Sequence, residues 1–394
     1  MGCEVTIDDI CSSVCSGGTP QKSNSEYYEN GNIPWLNTKE ISFNRIRKTK
    51  QFITEAGLRQ SSAKWVRANS VVVAMYGATA GKVAITKIPL TTNQACCNLE
   101  VDKEVADYRY IYYWFQNQYS RVLNLANGGA QQNLNAKTIK AMEIKLPNLA
   151  LQQRIANCLS AIDDEIELNI ELNGYLEKLV SLEFSRRFKA STPTIELGKV
   201  LSISTESIKP QEHAGEIWEH YSIPAYDENR QPLFELSDGI KSNKYAIDAN
   251  CILISKLNPA TKRIWMPSCT SEHSVCSTEF IVYKPKNPRY KSFYYAAIDS
   301  QAFTDFLIAH VTGSTGSRQR TQPKATLTYP MPNPGHDAIE GFCAFADPIY
   351  KQIQSNKLES KWLVSLRDAL LPKLMSGEID VSKIDLTQLN SHLA

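Results

Sequence analysis

From residue 155 onward, apolar side chains recur at heptad spacing. Ile155, Ile162 and Leu176 hold one position, and Leu159, Ile166 and Val180 hold the other, with Asn169 and Asn173 interrupting. The pattern returns 187 residues later (342 against 155). Phe342, Ile349, Leu363 and Leu370 then hold the first position, Ile353 and Leu374 the partner position, and Asn356 and Ser360 interrupt at the matching places. A narrow two-position seam predicts helices that pair as a coiled coil, with polar seam residues fixing register at some cost in stability. The expected helices are 149–190 and 336–376. Pro348 lacks the amide an interior turn needs. It predicts either a restart, with Asp347 as N-cap, or a kink. Gly377 reads as the stop, and 377–394 as a loose tail.

The stretch VVVAMYGATAGKVAI, residues 71–85, has a different texture. An apolar run enters Gly77, Thr79, Gly81 and Lys82. A phosphate loop needs four residues between its glycines and Ser/Thr after the lysine. Here three intervene, and Val83 follows Lys82. VAITK then reads as a second strand, so the segment predicts a β-hairpin turning through glycines. Residues 253–266, LISKLNPATKRIWM, repeat the pattern with Asn258 in place of Gly77 and Arg263 in place of Lys82. The second copy keeps the cation and loses the glycines, which points to a hairpin with a basic tip rather than a nucleotide cradle.

Other segments recur in the same order. VTIDDI (5–10) pairs with IELGKV (195–200), and AMEIKLPN (141–148) with TLTYPMPN (326–333). The aromatic run Tyr108, Tyr110, Tyr112, Tyr113, Trp114, Phe115 and Tyr119 has a counterpart in Phe293, Tyr294, Tyr295, Phe303 and Phe306. Its helical spacing marks core packing over a base-stacking platform. The chain is thus written twice: an α/β domain over 1–148, a helix, a second α/β domain over 191–335, a helix.

Charge changes this picture only through its distribution. The net charge is +2. Residues 1–148 carry 17 Lys+Arg against 12 Asp+Glu, and 191–335 carry 15 against 14. The helical segments are acidic, with 5 against 7 over 149–190 and 6 against 8 over 336–394. Ten scattered cysteines without a C-x-x-C pair, and six histidines without i, i+4 pairing, predict reduced thiols and no metal. No apolar run reaches transmembrane length and no basic-then-apolar leader opens the chain, so a cytoplasmic protein is expected. The M-G-x-x-x-[ST] match through Gly2 and Thr6 lacks a polybasic neighbour and reads as chance. No N-P-P-[YF] amino-methyltransferase motif occurs. Asp163 and Asp164 point in different directions on a helix and are expected on a solvated face.

Several motifs carry a resemblance. LPNLALQQRIANCLSAIDDEIELN (146–169) and LRDALLPKLMSGEIDV (366–381) resemble the conserved helices of the specificity subunits of type I restriction-modification systems. SGGTP (16–20), IPWLNTKEI (33–41) and GGAQQNLNAKTIK (128–140) resemble recurrent pieces of the target-recognition domains of that family. The resemblance implies two target-recognition domains, each reading half of a split DNA site. It implies antiparallel helices with an internal pseudo-twofold, whose length sets the spacer. It also implies a non-catalytic subunit partnered by double-stranded DNA, two methyltransferase subunits that use S-adenosylmethionine on adenine N6, and a motor-nuclease subunit. The second domain departs most, with VTGSTGSRQRT where the first has the Gln-Gln-Asn-Leu-Asn pattern.

Base reading needs side chains that reach base edges, and phosphate binding needs cations. The candidates in the first domain are Gln131, Gln132 and Asn133, whose amides suit adenine, with Thr79 and Lys82 on the hairpin and Trp35 and Asn37 as weaker choices. In the second domain they are Ser314, Thr315, Arg318, Gln319 and Arg320, with Lys262 and Arg263 mirroring Lys82. Two alternatives remain at this stage: a coiled-coil interaction scaffold without a DNA role, and a specificity subunit of a methylation-only or other defence system.

Overall fold

The computed structural model describes residues 3–127, 134–188, 192–312 and 319–381. It divides into two compact units, Met1–Ile166 with Trp362–Ala394, and Glu167–Lys361. The boundary falls inside both long helices, Leu149–Arg187 and His336–Ser376.

The first unit is built on two sheets. One has the order β2-β10-β7-β8-β4: Cys11–Ser16, Cys96–Val101, Val71–Ala74, Val83–Thr86 and Asn44–Ile46. The other has the order β5-β3-β9-β6: Gln51–Ile53, Ile33–Leu36, Leu90–Thr92 and Trp65–Val66. β3 and β9 run parallel. The outer pair β1 (Cys3–Thr6) and β11 (Glu143–Leu146) closes the domain. Strand alternation explains the unbroken apolar runs. Val71, Val73, Val83 and Ile85 face the core beneath the helices. Val72, Ala74 and Ala84 face a second core, shared with Leu36, Val66 and Leu90. A strand buried on both faces has no polar side to show.

The second unit repeats the plan. One sheet has the order β13-β21-β18-β19: Leu201–Ser204, Phe280–Pro285, Ile252–Ser255 and Ile264–Trp265. The other has the order β14-β17-β20-β15-β16: Ser207–Ile208, Lys244–Ala246, Ser274–Cys276, Ile217–Tyr221 and Leu233–Leu236. β15 and β20 are the parallel pair here. Thr194–Glu196 (β12) and Pro330–Pro332 (β24) form the closing pair. Alternation splits the same way, with Ile252 and Ile254 in one core and Leu253 in the other.

In each unit the two long helices pack antiparallel. In the first, Ile155 and Leu159 share a core with Leu371 and Leu374. In the second, Val180, Phe184 and Phe188 share one with Phe342, Ala346 and Ile353. Of the expected seam, Ile155, Leu159, Ile162, Asn169, Phe342, Ile353 and Asn356 are buried, and Ile166, Leu176, Ile349, Leu363 and Leu370 are half-buried. The polar interruptions meet: Asn356 Nδ2 donates to Asn173 Oδ1 at 2.9 Å, and Asn169 Nδ2 to Glu359 Oε2 at 3.1 Å. The second helix runs unbroken through Pro348, which lies on its exposed side, so of the two alternatives, restart or kink, the restart does not occur. The carbonyl that proline leaves unbonded is on a face where water can serve it.

The aromatic run lies on Tyr108–Asn117, with Tyr119 on the next helix, and its centre is core: Tyr110, Tyr112, Tyr113 and Phe115 are at most 2% exposed. Gly377 caps the second helix at φ +78°, a conformation in which a side chain would be strained. The chain then turns back. Val381 is buried against Ile155 and its neighbours, and Arg154 Nη2 donates to the Val381 carbonyl at 3.1 Å. Residues 377–381 are therefore packed rather than loose; 382–394 lie outside the described residues.

Candidate nucleic-acid interface

The 71–85 segment is a hairpin. β7 pairs with β8 antiparallel, Val73 opposite Val83. Gly77 (φ +89°) and Gly81 (φ +79°) make the turn. Gly81 is doubly constrained, because a Cβ there would press on the Tyr119 ring and the Leu123 amide at 3.3 Å. A strand rather than a helix follows the turn, so no helix N-terminus faces a phosphate. Thr79 Oγ1 donates to the Thr38 carbonyl at 2.8 Å, tying the tip to the turn after β3. Asn37 caps that turn, its Oδ1 accepting from the Lys39 amide at 3.1 Å. Thr79 and Asn37 thus meet at one turn; the Lys82 amide donates to the Thr79 carbonyl at 2.9 Å and its side chain is half-buried.

Trp35 does not join them. It is 2% exposed and its Nε1 donates to the Gly18 carbonyl at 3.0 Å, so it is a core residue with its one donor engaged. Gln131, Gln132 and Asn133 lie outside the described residues.

In the second unit Asn258 takes φ +47°, a left-handed backbone like that of its counterpart Gly77 and one that asparagine tolerates better than most residues. Its amide donates to the Gln319 carbonyl at 3.0 Å, and the Thr321 amide donates to the Lys256 carbonyl at 2.9 Å. The hairpin turn and the far loop, remote in sequence, are laced together. Val311–Thr312 (β22) and Arg320–Thr321 (β23) pair at the base of that loop. Arg320 is 57% exposed with Nη2 on Glu279 Oε1 at 3.0 Å, and Gln319 is half-buried. Ser314, Thr315 and Arg318 lie outside the described residues.

Lys262 and Arg263 require correction. Arg263 forms a two-pronged pair with Asp227 at 2.6 and 2.8 Å and is 12% exposed. That hydrogen bonding to Asp227 raises its pKa further. Lys262 bonds the carboxylate and carbonyl of Asp299 at 2.6 Å each. Burial raises the Asp299 carboxyl above its ordinary range, and Lys262 works against that shift. Both cations bond acids of their own domain, and Lys262 lines a crevice of about 270 Å³ with Glu177, Arg230, Tyr295, Tyr350 and Lys357.

Asp163 departs from the expected solvated face, whereas Asp164 is exposed as expected. Asp163 is buried, accepting from the Tyr113 hydroxyl at 2.6 Å and from Arg367 Nη1 at 2.9 Å. Asp164 pairs with Arg45. They are structural anchors between the first domain and its helix halves.

Two further features bear on function. In the second unit, Leu168, Leu172, Tyr175, Leu179 and Leu182 of the first long helix are 44–64% exposed. Their spacing is again heptad, a second seam directed outward. In the first unit, Lys22, Lys39 and Lys50 rim an open basin of about 520 Å³ with Tyr28, Trp35, Asn37, Glu40 and Gln51. Of the basic run RIRKTK (45–50), only Lys50 lines this basin.

The chain resembles the specificity subunits of type I restriction-modification systems. The family described as type I restriction modification DNA specificity domain matches residues 3–178. The specificity subunit of the Escherichia coli type I restriction enzyme EcoR124I/EcoR124II is 32% identical over 152 residues, a match that spans 37% of each chain. The MjaIX specificity subunit of Methanocaldococcus jannaschii is 25% identical over 96% of this chain and 93% of that one. The fold is shared with a crystal structure of a type I restriction-modification S subunit from M. genitalium, with a TM-score of 0.56 and 19% identity over 94% of this chain and 95% of that one. Among the described residues no helix is long and apolar enough to cross a membrane.

Proposed function

We propose that this chain is the DNA-reading subunit of a type I restriction-modification complex, each α/β domain reading one half of a split site. The observation that carries this reading is the duplicated plan: the same pair of sheets twice, each mounted on antiparallel helix halves. In the second copy the hairpin turn is laced to the loop that carries Gln319 and Arg320. The subunit itself catalyses nothing. It positions partner methyltransferase subunits that use S-adenosylmethionine, and a motor-nuclease subunit joins for restriction.

The outward seam of Leu168, Leu172, Tyr175, Leu179 and Leu182 supports helical docking of those methyltransferase subunits. An apolar heptad face left in water is normally covered by another helix. The two long helices act as the ruler between half-sites. The first spans 39 residues, about 58 Å at 1.5 Å per residue. Its buried Asn173, bonded to Asn356, and Asn169, bonded to Glu359, lock the register that a ruler needs.

The test is co-expression with a cognate methyltransferase subunit, followed by mapping of N6-methyladenine in host DNA. A split motif with a fixed spacer is expected. No motif from a co-purifying complex would favour the scaffold reading. Inserting seven residues into the first long helix should lengthen the spacer and leave both half-sites as they were; an unchanged spacer would sink the ruler.

A further inference from the structure

We infer that the lysine-rimmed basin of the first unit is a seat for DNA backbone phosphates, a reading that rests on the DNA-reading role proposed above. Its floor is built by two pins. Trp35 Nε1 donates to the Gly18 carbonyl at 3.0 Å, and the Tyr28 hydroxyl donates to the Pro20 carbonyl at 2.6 Å. They hold the segment after β2 flat against the second sheet. Gly17 and Gly18 permit the approach, since a Cβ on either would overlap the backbone of Thr92 and Asn93 or of Ser62 and Ala63. This is the physical content of the SGGTP motif, and it delivers Lys22 to the rim.

The opposite rim is set by Glu40. Its carboxylate accepts from the Asn37 amide at 3.3 Å and from the Lys50 amide at 2.9 Å. One acid thereby closes the loop from Asn37 to Lys50 through backbone bonds and holds Lys39 and Lys50 on the lip of the basin. The three lysines are exposed, and none forms an ion pair among the described residues. Three ammonium groups against one carboxylate leave the basin with an excess of two positive charges. The buried Trp35 gives part of its wall a low dielectric, which strengthens the field at the mouth. The hairpin tip abuts the same turn through Thr79 and the Thr38 carbonyl, so a strand seated on the lysines passes beside the proposed reading residues.

The matching place in the second unit is built differently. β15 and β16 stand where β3 and β5 stand, but the matching hollow is lined by Glu219, Arg230, Phe234, Lys357 and Lys361. Its own second long helix covers it. Glu219 is buried there, accepting from the Tyr221 hydroxyl at 2.6 Å and the Ser271 amide at 2.9 Å.

The test uses the assembled complex with its methyltransferase subunits, bound to a duplex carrying its mapped motif across a salt series. Each phosphate contact contributes about 0.9 to the slope of log affinity against log salt. K22Q/K39Q/K50Q should lower that slope by about 2 to 3, and K39Q alone by about 1, with the methylated letters unchanged. Because the side chains are exposed, the thermal unfolding of the variants should match the parent, which separates lost contacts from lost folding. An unchanged slope in a well-folded triple variant overturns the inference. If the parent complex shows no motif at all, the DNA-reading proposal fails first and separately.

Discussion

The two units fasten the same kind of domain to the same kind of helix pair by opposite chemistry. In the first, Tyr113 and Arg367 converge on the buried carboxylate of Asp163, and Arg45 grips Asp164 next to it. In the second, Phe184, Phe188, Phe293 and Phe342 form an aromatic cluster with centroids 5.1–6.0 Å apart. The sequence repeat makes the exchange explicit. Asp163 falls on Tyr350 in the helix alignment, and Tyr113 falls on Tyr295 when Tyr112-Tyr113 is set on Tyr294-Tyr295. The first unit's Tyr–Asp hydrogen bond thus becomes Tyr295 against Tyr350, ring to ring at 5.2 Å. A duplicated fold can keep its geometry while the attachment changes from directional and charged to apolar. A charged anchor fixes orientation but is costly to break, whereas an aromatic anchor contributes through buried area.

The strongest way to break the comparison lies in the aromatic anchor. Phe342→Ala should destabilise the second unit by about 4 kcal/mol, read as a shift in denaturant unfolding, with little dependence on salt. Asp163→Ala should cost the first unit about 3 kcal/mol, because it removes the buried carboxylate shared by Tyr113 and Arg367 and leaves Arg367 only the exposed Asp368. If Asp163→Ala proves neutral, the network is ornamental and the two anchors do not differ as described.

A smaller effect separates the units by pH. All six histidines lie at or beyond His213, and among the described residues the first unit has none. Burial lowers the His220 pKa from 6.5, more than its bond to Glu235 at 2.7 Å raises it. Its Nε2 is buried without a hydrogen-bond partner, so protonation there would add an unsatisfied donor. The unfolded chain binds the proton more readily. Stability from this site is therefore full above pH 6.5 and declines as pH falls below it. The second unit should lose melting temperature between pH 7 and 5 more than the first does. His220→Gln should flatten that slope, and equal slopes in the parent and the variant would remove His220 from the account.

The long-range plan was legible in the sequence because periodicity is a local code. The heptads, the double alternation of VVVA and its counterpart, and the glycine or asparagine at the hairpin turn each follow from spacing alone. What escaped was pairing at a distance. Nothing near Asp163 announces Arg367, 204 residues on, so a solvated face was the natural expectation. Lys262 and Arg263 look like a basic tip until Asp299 and Asp227 fold against them. Trp35 reads as an interface aromatic because its partner, the Gly18 carbonyl, is a backbone group. The lysine basin was missed for the same reason: Lys22, Lys39 and Lys50 are separated by turns that only Glu40 and the glycine pair bring together.

The most direct test of the central claim, that two independent readers share one frame, is to map the methylation motif twice. The first map uses the parent subunit. The second uses a subunit in which residues 313–320 of the second domain are replaced by a Gly/Ser loop of equal length, both in complex with the methyltransferase subunits. The account predicts a split motif in the parent. In the variant one half-site should lose its letters while the other half-site and the spacer stay unchanged. Loss of letters in both half-sites, with the complex intact, would contradict it.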